Sequence, residues 1–203
     1  MMSRNAVAAQ SLAHDVLVDL LEYSAHQILY HRSVYPSRIF SRCQAFGAPV
    51  MKADHSAVRK YIATELRTLR RAMEAGVEVT RVDLALVDSV SGRQMETHVF
   101  SMAGPNAGSK GEEDVGLILG ELESKCRSLL LTLAARLSEM PQPKVKEGED
   151  PAFVLRFHTD MESAAKLKGE HGWAEVEADN EGGKVIPVHR IGGRVRLETY
   201  VIM

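Results

Sequence analysis

Eight histidines, two cysteines and twenty-seven carboxylates are the groups from which this chain could build a reactive centre, so their spacing is read first. His26 and His31 stand five apart, which puts them on different faces of a helix. No HExxH, HxxxH or CxxC spacing occurs, and the arrangement offers no metal site. The expectation for both histidines is a polar edge with a satisfied hydrogen bond. The stretch GPNAGSKG glances like a phosphate loop, but Gly104 and Gly108 enclose three residues instead of four. Gly111 follows Lys110 where Ser or Thr is needed. No GxSxG is present, and the carboxylates sit mostly among solvated helix positions without marking a catalytic pair. The residues therefore point to no enzyme, no cofactor and no metal. One cationic run, Arg59, Lys60, Arg67, Arg70 and Arg71, could meet phosphates, although Glu65 and Glu74 interlace it as on a solvated face.

The totals bound the rest. A chain of 203 residues with 45% hydrophobic and 26% charged residues builds one full domain or two small ones. A formal net charge of −2 gives no field to hold the molecule on DNA or anionic lipid, so DNA contact is local or comes through a partner. Cys43 and Cys126 cannot make a disulfide framework, and the first residues turn amphipathic where a signal peptide would be apolar. The expectation is a reducing compartment, cytosol or nucleus, and no membrane span.

The elements that must position any site follow from periodicity. Leu17, Leu20, Leu21, Ser24 and Ile28 make one stripe of a helix from about Ser11 to Tyr30, and Pro36 is expected to end it. An irregular apolar segment follows, with Gly47 and Pro49 as breakers. A second helix buries Val58, Ile62, Leu66, Leu69 and Met73, with Ser56 as N-cap and Gly76 as stop. RVDLALVD and RQMETHVF read as a hairpin turning at Gly92. After a linker at 104–114, a third helix carries Cys126, Leu129, Leu133 and Leu137, and AFVLRFH reads as a strand. The remaining ~45 residues are glycine-interrupted, hold two β-like runs and contain Trp173, the lone tryptophan. Helices gathered against a mostly antiparallel sheet make an α+β domain.

The stretch LLEYSAHQILYHRSVYPSRIF resembles the first helix and following loop of HORMA-domain proteins, most of all the accessory subunits of translesion DNA polymerase zeta. The matching residues are Ile28–Tyr30, Val34–Pro36 and Ile39–Phe40. APVMKADHSAVRKYI, FVLRFHTDMESA, Gly172–Trp173, KVIPV and LETYV continue the likeness in order. The resemblance implies one HORMA domain over 11–203, three main helices on an antiparallel sheet. Its core would span about 11–160 and its C-terminal safety belt about 161–203.

It further implies a non-catalytic adaptor in DNA damage bypass and repair, nuclear and cytoplasmic. The belt would trap a proline-containing peptide of the polymerase zeta catalytic subunit, and a second surface would bind the C-terminal domain of a Y-family scaffold polymerase. Shieldin-type partners, a HORMA dimer and an AAA+ remodeller are also implied. The alternative is a spindle-checkpoint or meiotic HORMA protein. Residue by residue, Tyr61, Trp173 and Pro187 would hold the peptide, and Val185, Glu198 and Tyr200 the scaffold polymerase. Arg127 would meet a second HORMA domain. Glu198 departs from the family's glutamine and adds a charge to that surface. If Trp173 anchors the peptide, Trp173→Ala should weaken peptide binding by about 2 kcal/mol or more. Unchanged affinity in a titration, with the fold intact, would remove it from the channel.

Overall fold

The structure is a computed structural model and describes residues 4–103, 115–167, 184–191 and 196–203. Helix α1 spans Arg4–His31, beginning before the expected Ser11. Its apolar stripe is buried as the spacing predicts, at Leu20, Leu21, Ser24 and Ile28. Pro36 does not end it. The helix stops five residues earlier, where Ser33 turns left-handed at φ 52°. The Val34 and Ser33 N–H groups donate to the carbonyls of Leu29 and Tyr30, each at 3.1 Å. This pattern satisfies the last carbonyls of a helix and sets an apolar contact between the residue after the turn and the last helical turn. Val34 and Leu29 supply that contact, both in the core.

The segment expected to be irregular is instead a short 3-10 turn, Ser37–Ile39, and an antiparallel hairpin of β1 (Phe40–Ala45) and β2 (Ala48–Ala53). Two consecutive left-handed residues, Phe46 at 49° and Gly47 at 71°, make its tight turn. An aromatic residue in that conformation is rare, which is why the turn signal was weak. Pro49 pairs opposite Gln44 inside β2 and is no breaker.

Helix α2 spans Ser56–Glu74 and is preceded by His55, so Ser56 is its first helical residue and not its cap. Gly76, at φ 80°, closes it as expected, with the Val77 amide donating to the Ala72 carbonyl. Then come β3 (Val79–Asp88), β4 (Gln94–Ala103), α3 (Val115–Glu139), β5 (Pro151–Thr159), a short α4 (Met161–Leu167), β6 (Val185–Ile191) and β7 (Arg196–Ile202). The main sheet is antiparallel in the order β5-β3-β4-β7-β6. Alternation sorts its faces: Val82, Leu84 and Leu86 turn towards the helices together with Phe100, Phe153, Leu197 and Val201. On the helical side, Leu129, Leu130, Leu133 and Leu137 of α3 are all fully buried.

Polar groups inside this core have specific partners. His26, expected at an edge, is fully buried, and its Nδ1 accepts the Ala53 amide at 3.4 Å. Gln27 accepts the Met51 amide at 3.1 Å. Two side chains of α1 thus satisfy outward amides of β2, a structural task for a histidine. His31 is half-buried, 3.2 Å from the Ser138 hydroxyl of α3. Deeper, Arg32 donates to Glu96 at 2.5 Å and to the Pro141 carbonyl at 2.6 Å. His98 lies 2.6 Å from the other Glu96 oxygen. Burial by itself would raise the Glu96 pKa, but His98 and Arg32 together hold it below the usual carboxylate value.

Removing one partner of such a pair leaves a buried charge uncompensated. Glu96→Ala is expected to lose about 3–5 kcal/mol in chemical denaturation, and Arg32→Met in the same chain to recover part of it. A second expectation concerns acid. Burial pulls His26 from 6.5 to about 4, so between those values the unfolded chain binds a proton that the folded chain refuses. Stability then falls as pH falls through this window, by up to about 1.4 kcal/mol per pH unit. His98, also buried and lowered, adds to the slope. Urea midpoints between pH 7 and 5 should therefore fall less steeply in His26→Gln than in the parent; an unchanged slope would contradict the assignment.

Candidate functional site

The main sheet has two outer strands, and β5 is one of them: it pairs with β3 on one side and with no strand on the other among the described residues. Beside that open edge lies a groove of ≈ 550 Å³, a size typical of ligand clefts. Its walls come from three places. The segment after α1 gives Tyr35 and Ile39, the first turns of α2 give Val58 and Tyr61, and β5 gives Phe153. The lining is mostly apolar and aromatic, with Arg38 and His55 also on its walls.

Phe153 organises the aromatic wall. Tyr61 meets it edge-on, with ring centroids 5.2 Å apart and planes at 86°, and Tyr35 meets it at 6.3 Å and 88°. Edge-to-face pairs of this kind add about 0.5–1.5 kcal/mol beyond area burial and hold the rings in fixed attitudes. Tyr61 remains 37% exposed, enough to touch an incoming chain. Burial pushes both tyrosine pKa values up, with the Leu155 amide acting in the opposite sense at Tyr61. Both hydroxyls are therefore protonated donors at neutral pH. A strand edge offers main-chain groups, and an adjacent apolar groove offers pockets for alternate side chains; together they suit an extended peptide.

The residues singled out in the sequence fall in different places. Tyr61 stands in the groove. Trp173 lies outside the described residues, as does the 104–114 linker. Pro187 sits in β6 opposite Tyr200, at the other edge of the sheet, with β3, β4 and β7 between it and β5. The structure does not bring Pro187 to Tyr61. Val185, Glu198 and Tyr200 share one face of the β6–β7 hairpin. Val185 is 57% exposed, and Glu198 accepts from Arg190 at 2.9 Å. Arg127 is exposed on α3 and lies against the β1–β2 turn: a Cβ built on Gly47 would stand 3.5 Å from its Nη1. Phe153 and Arg38 were not singled out by sequence reasoning. Phe153 could have been found from the alternation of Phe153, Leu155 and Phe157 towards the helices, whereas nothing local marks Arg38. Among the described residues no cluster could hold a metal ion, and no helix is long and apolar enough to cross a membrane.

In structural comparison, a chain from the crystal structure of the mitotic checkpoint complex superposes with a TM-score of 0.73, covering 94% of this chain and 97% of the other at 16% identity. Caenorhabditis elegans HTP-2 bound to a HIM-3 closure motif gives 0.68, covering 94% and 89% at 10% identity. The chain has the HORMA fold. No protein-family model matches it. Among sequence relatives of this chain are MAD2 of Saccharomyces cerevisiae, a mitotic spindle checkpoint component, and MAD2B of Danio rerio. Each is 25% identical, over 187 and 199 residues, covering 88% and 92% of this chain and 91% and 89% of theirs. DNA polymerase zeta subunit 2 of Drosophila melanogaster is 23% identical over 161 residues, covering 79% of this chain and 77% of its own.

Proposed function

We propose that the chain is a non-catalytic adaptor that holds an extended, proline-containing peptide of a partner along the open edge of β5, with its apolar side chains in the Tyr35–Tyr61–Phe153 groove. The single observation that carries this reading is the edge of β5, unpaired among the described residues, lying against an aromatic-walled groove. The C-terminal hairpin β6–β7 docks on β4, at the far side of the sheet, and so leaves that edge clear. Residues 161–203 act as the belt that closes over the peptide. HTP-2, which shares the fold, is bound to a closure motif in its structure, which supports peptide capture.

For the identity of the partner, the polymerase zeta subunit 2 relative supports the catalytic subunit of polymerase zeta as the source of the peptide. In this reading the face carrying Val185, Glu198 and Tyr200 receives a Y-family scaffold polymerase. The adaptor then works in the nucleus during translesion synthesis, and Arg127 joins two HORMA domains. A second reading, a spindle-checkpoint adaptor, is favoured by the MAD2 relative, which covers more of the chain.

The test is a titration of the full chain with proline-containing peptides tiled from the polymerase zeta catalytic subunit, followed by tryptophan fluorescence. One tile should bind with nanomolar to low-micromolar affinity, about −12 to −8 kcal/mol. Tyr61→Ala should weaken it by about 2 kcal/mol, since a half-exposed aromatic in a groove is the type of residue that anchors interfaces. Binding of checkpoint-partner peptides in place of every polymerase tile would transfer the function to the second reading. Undiminished binding by the Tyr61 variant would displace the peptide from this groove.

A further inference from the structure

The exposed face of α2 next to the groove carries a row of cations. Lys60, Arg67 and Arg71 recur at i, i+7 and i+11, with Thr64 between them, and all are exposed. This row adjoins the face of Ala57 and Tyr61, which lines the groove. Among the described residues none of the three has a hydrogen-bonded or ion-paired carboxylate. The opposite flank of the same helix is neutralised: Arg70 pairs with Asp15 of α1 at 2.7 Å and with Glu74 at 3.0 Å. On the groove flank, α2 contributes one carboxylate, Glu65, half-buried near Tyr61. Arg38 at the groove wall is a further exposed cation, with no carboxylate partner among the described residues. A chain of net charge −2 therefore gathers exposed positive charge beside this apolar groove.

We propose that the peptide held in this groove is acidic where it flanks its apolar core, its carboxylates meeting Lys60, Arg67 and Arg71 as it leaves the groove along α2. The proposal rests on the peptide-capture reading and specifies the chemistry of the partner. Exposed charges of this kind set partner choice and association rate more than they set affinity, because opposite potentials steer encounter and like charges exclude wrong partners. They also act over about a Debye length, so flanking carboxylates need no single fixed geometry.

The experiment takes the apolar, proline-containing tile that binds in the titration above and compares versions with four Glu, four Gln or four Lys added at either end. The full chain is used at 50 and 300 mM salt. At low salt the Glu-flanked version, at one end, should bind about tenfold more tightly than the Gln-flanked one, and the Lys-flanked version more weakly than both. The advantage should shrink at high salt and vanish in the K60Q/R67Q/R71Q variant, while affinity for the Gln-flanked version is unchanged. Equal affinity for all three flanks would overturn the proposal and leave peptide capture standing. Failure of every version, the neutral one included, would overturn both. A duplex DNA 20-mer is the competing probe. If it binds the wild-type chain, is lost in the same variant and the flanks make no difference, the row serves nucleic acid and the acidic-peptide proposal falls.

Discussion

The ion pair between Arg32 and Glu96 is the constraint around which the rest of the structure is arranged. It lies at the point where the end of α1, strand β4 and the carbonyls following α3 converge, and both side chains are out of reach of water. Such a pair adds little net stability compared with apolar residues of the same volume, but it tolerates no misplacement of its partners. Its value here is registration. β4 is the strand on which β7 docks, so the element that carries the C-terminal hairpin is held in place by a charge just past the end of the first helix. His98, on the same face of β4 and against the same carboxylate, extends that network directly under Val201 of β7.

A second layer of registration serves the groove. His26 and Gln27 hold β2 from behind, and the left-handed turn at Ser33 sends the chain out of α1 at an angle that carries Tyr35 to Phe153. Tyr61 reaches the same ring from α2. Two segments, one after α1 and one in α2, are thereby fixed against one phenylalanine on an outer strand. The groove is a consequence of helix ends and turns, not of any loop built for the purpose.

Much of this was legible in the sequence where period and burial coincide. The stripes of α1, α2 and α3, the β3–β4 hairpin and the stop at Gly76 follow from 3.6- and 2-residue spacing and from glycine's freedom at positive φ. What was hidden depended on tertiary context. Ser33 and Phe46 adopt left-handed conformations that their side chains disfavour, so the end of α1 and the β1–β2 hairpin carry no local signal. His26 looked like an edge residue because its partner, an amide of β2, lies 27 positions away. Tyr61 was found through family likeness and not through pattern. Phe153 and Arg38, which shape the groove with it, are ordinary residues until the fold brings them there.

Pro187 gives the sheet a handedness of use. It occupies the outer strand β6 beside a register irregularity, and a proline lacks the amide that another strand would need. One rim of the sheet is thus disfavoured for strand addition, and the other has no strand beside it among the described residues. A molecule with two receptive rims could hand its strands from copy to copy and grow into a fibre. With one receptive rim among the described residues, growth by strand exchange from copy to copy of this chain is disfavoured by the backbone itself.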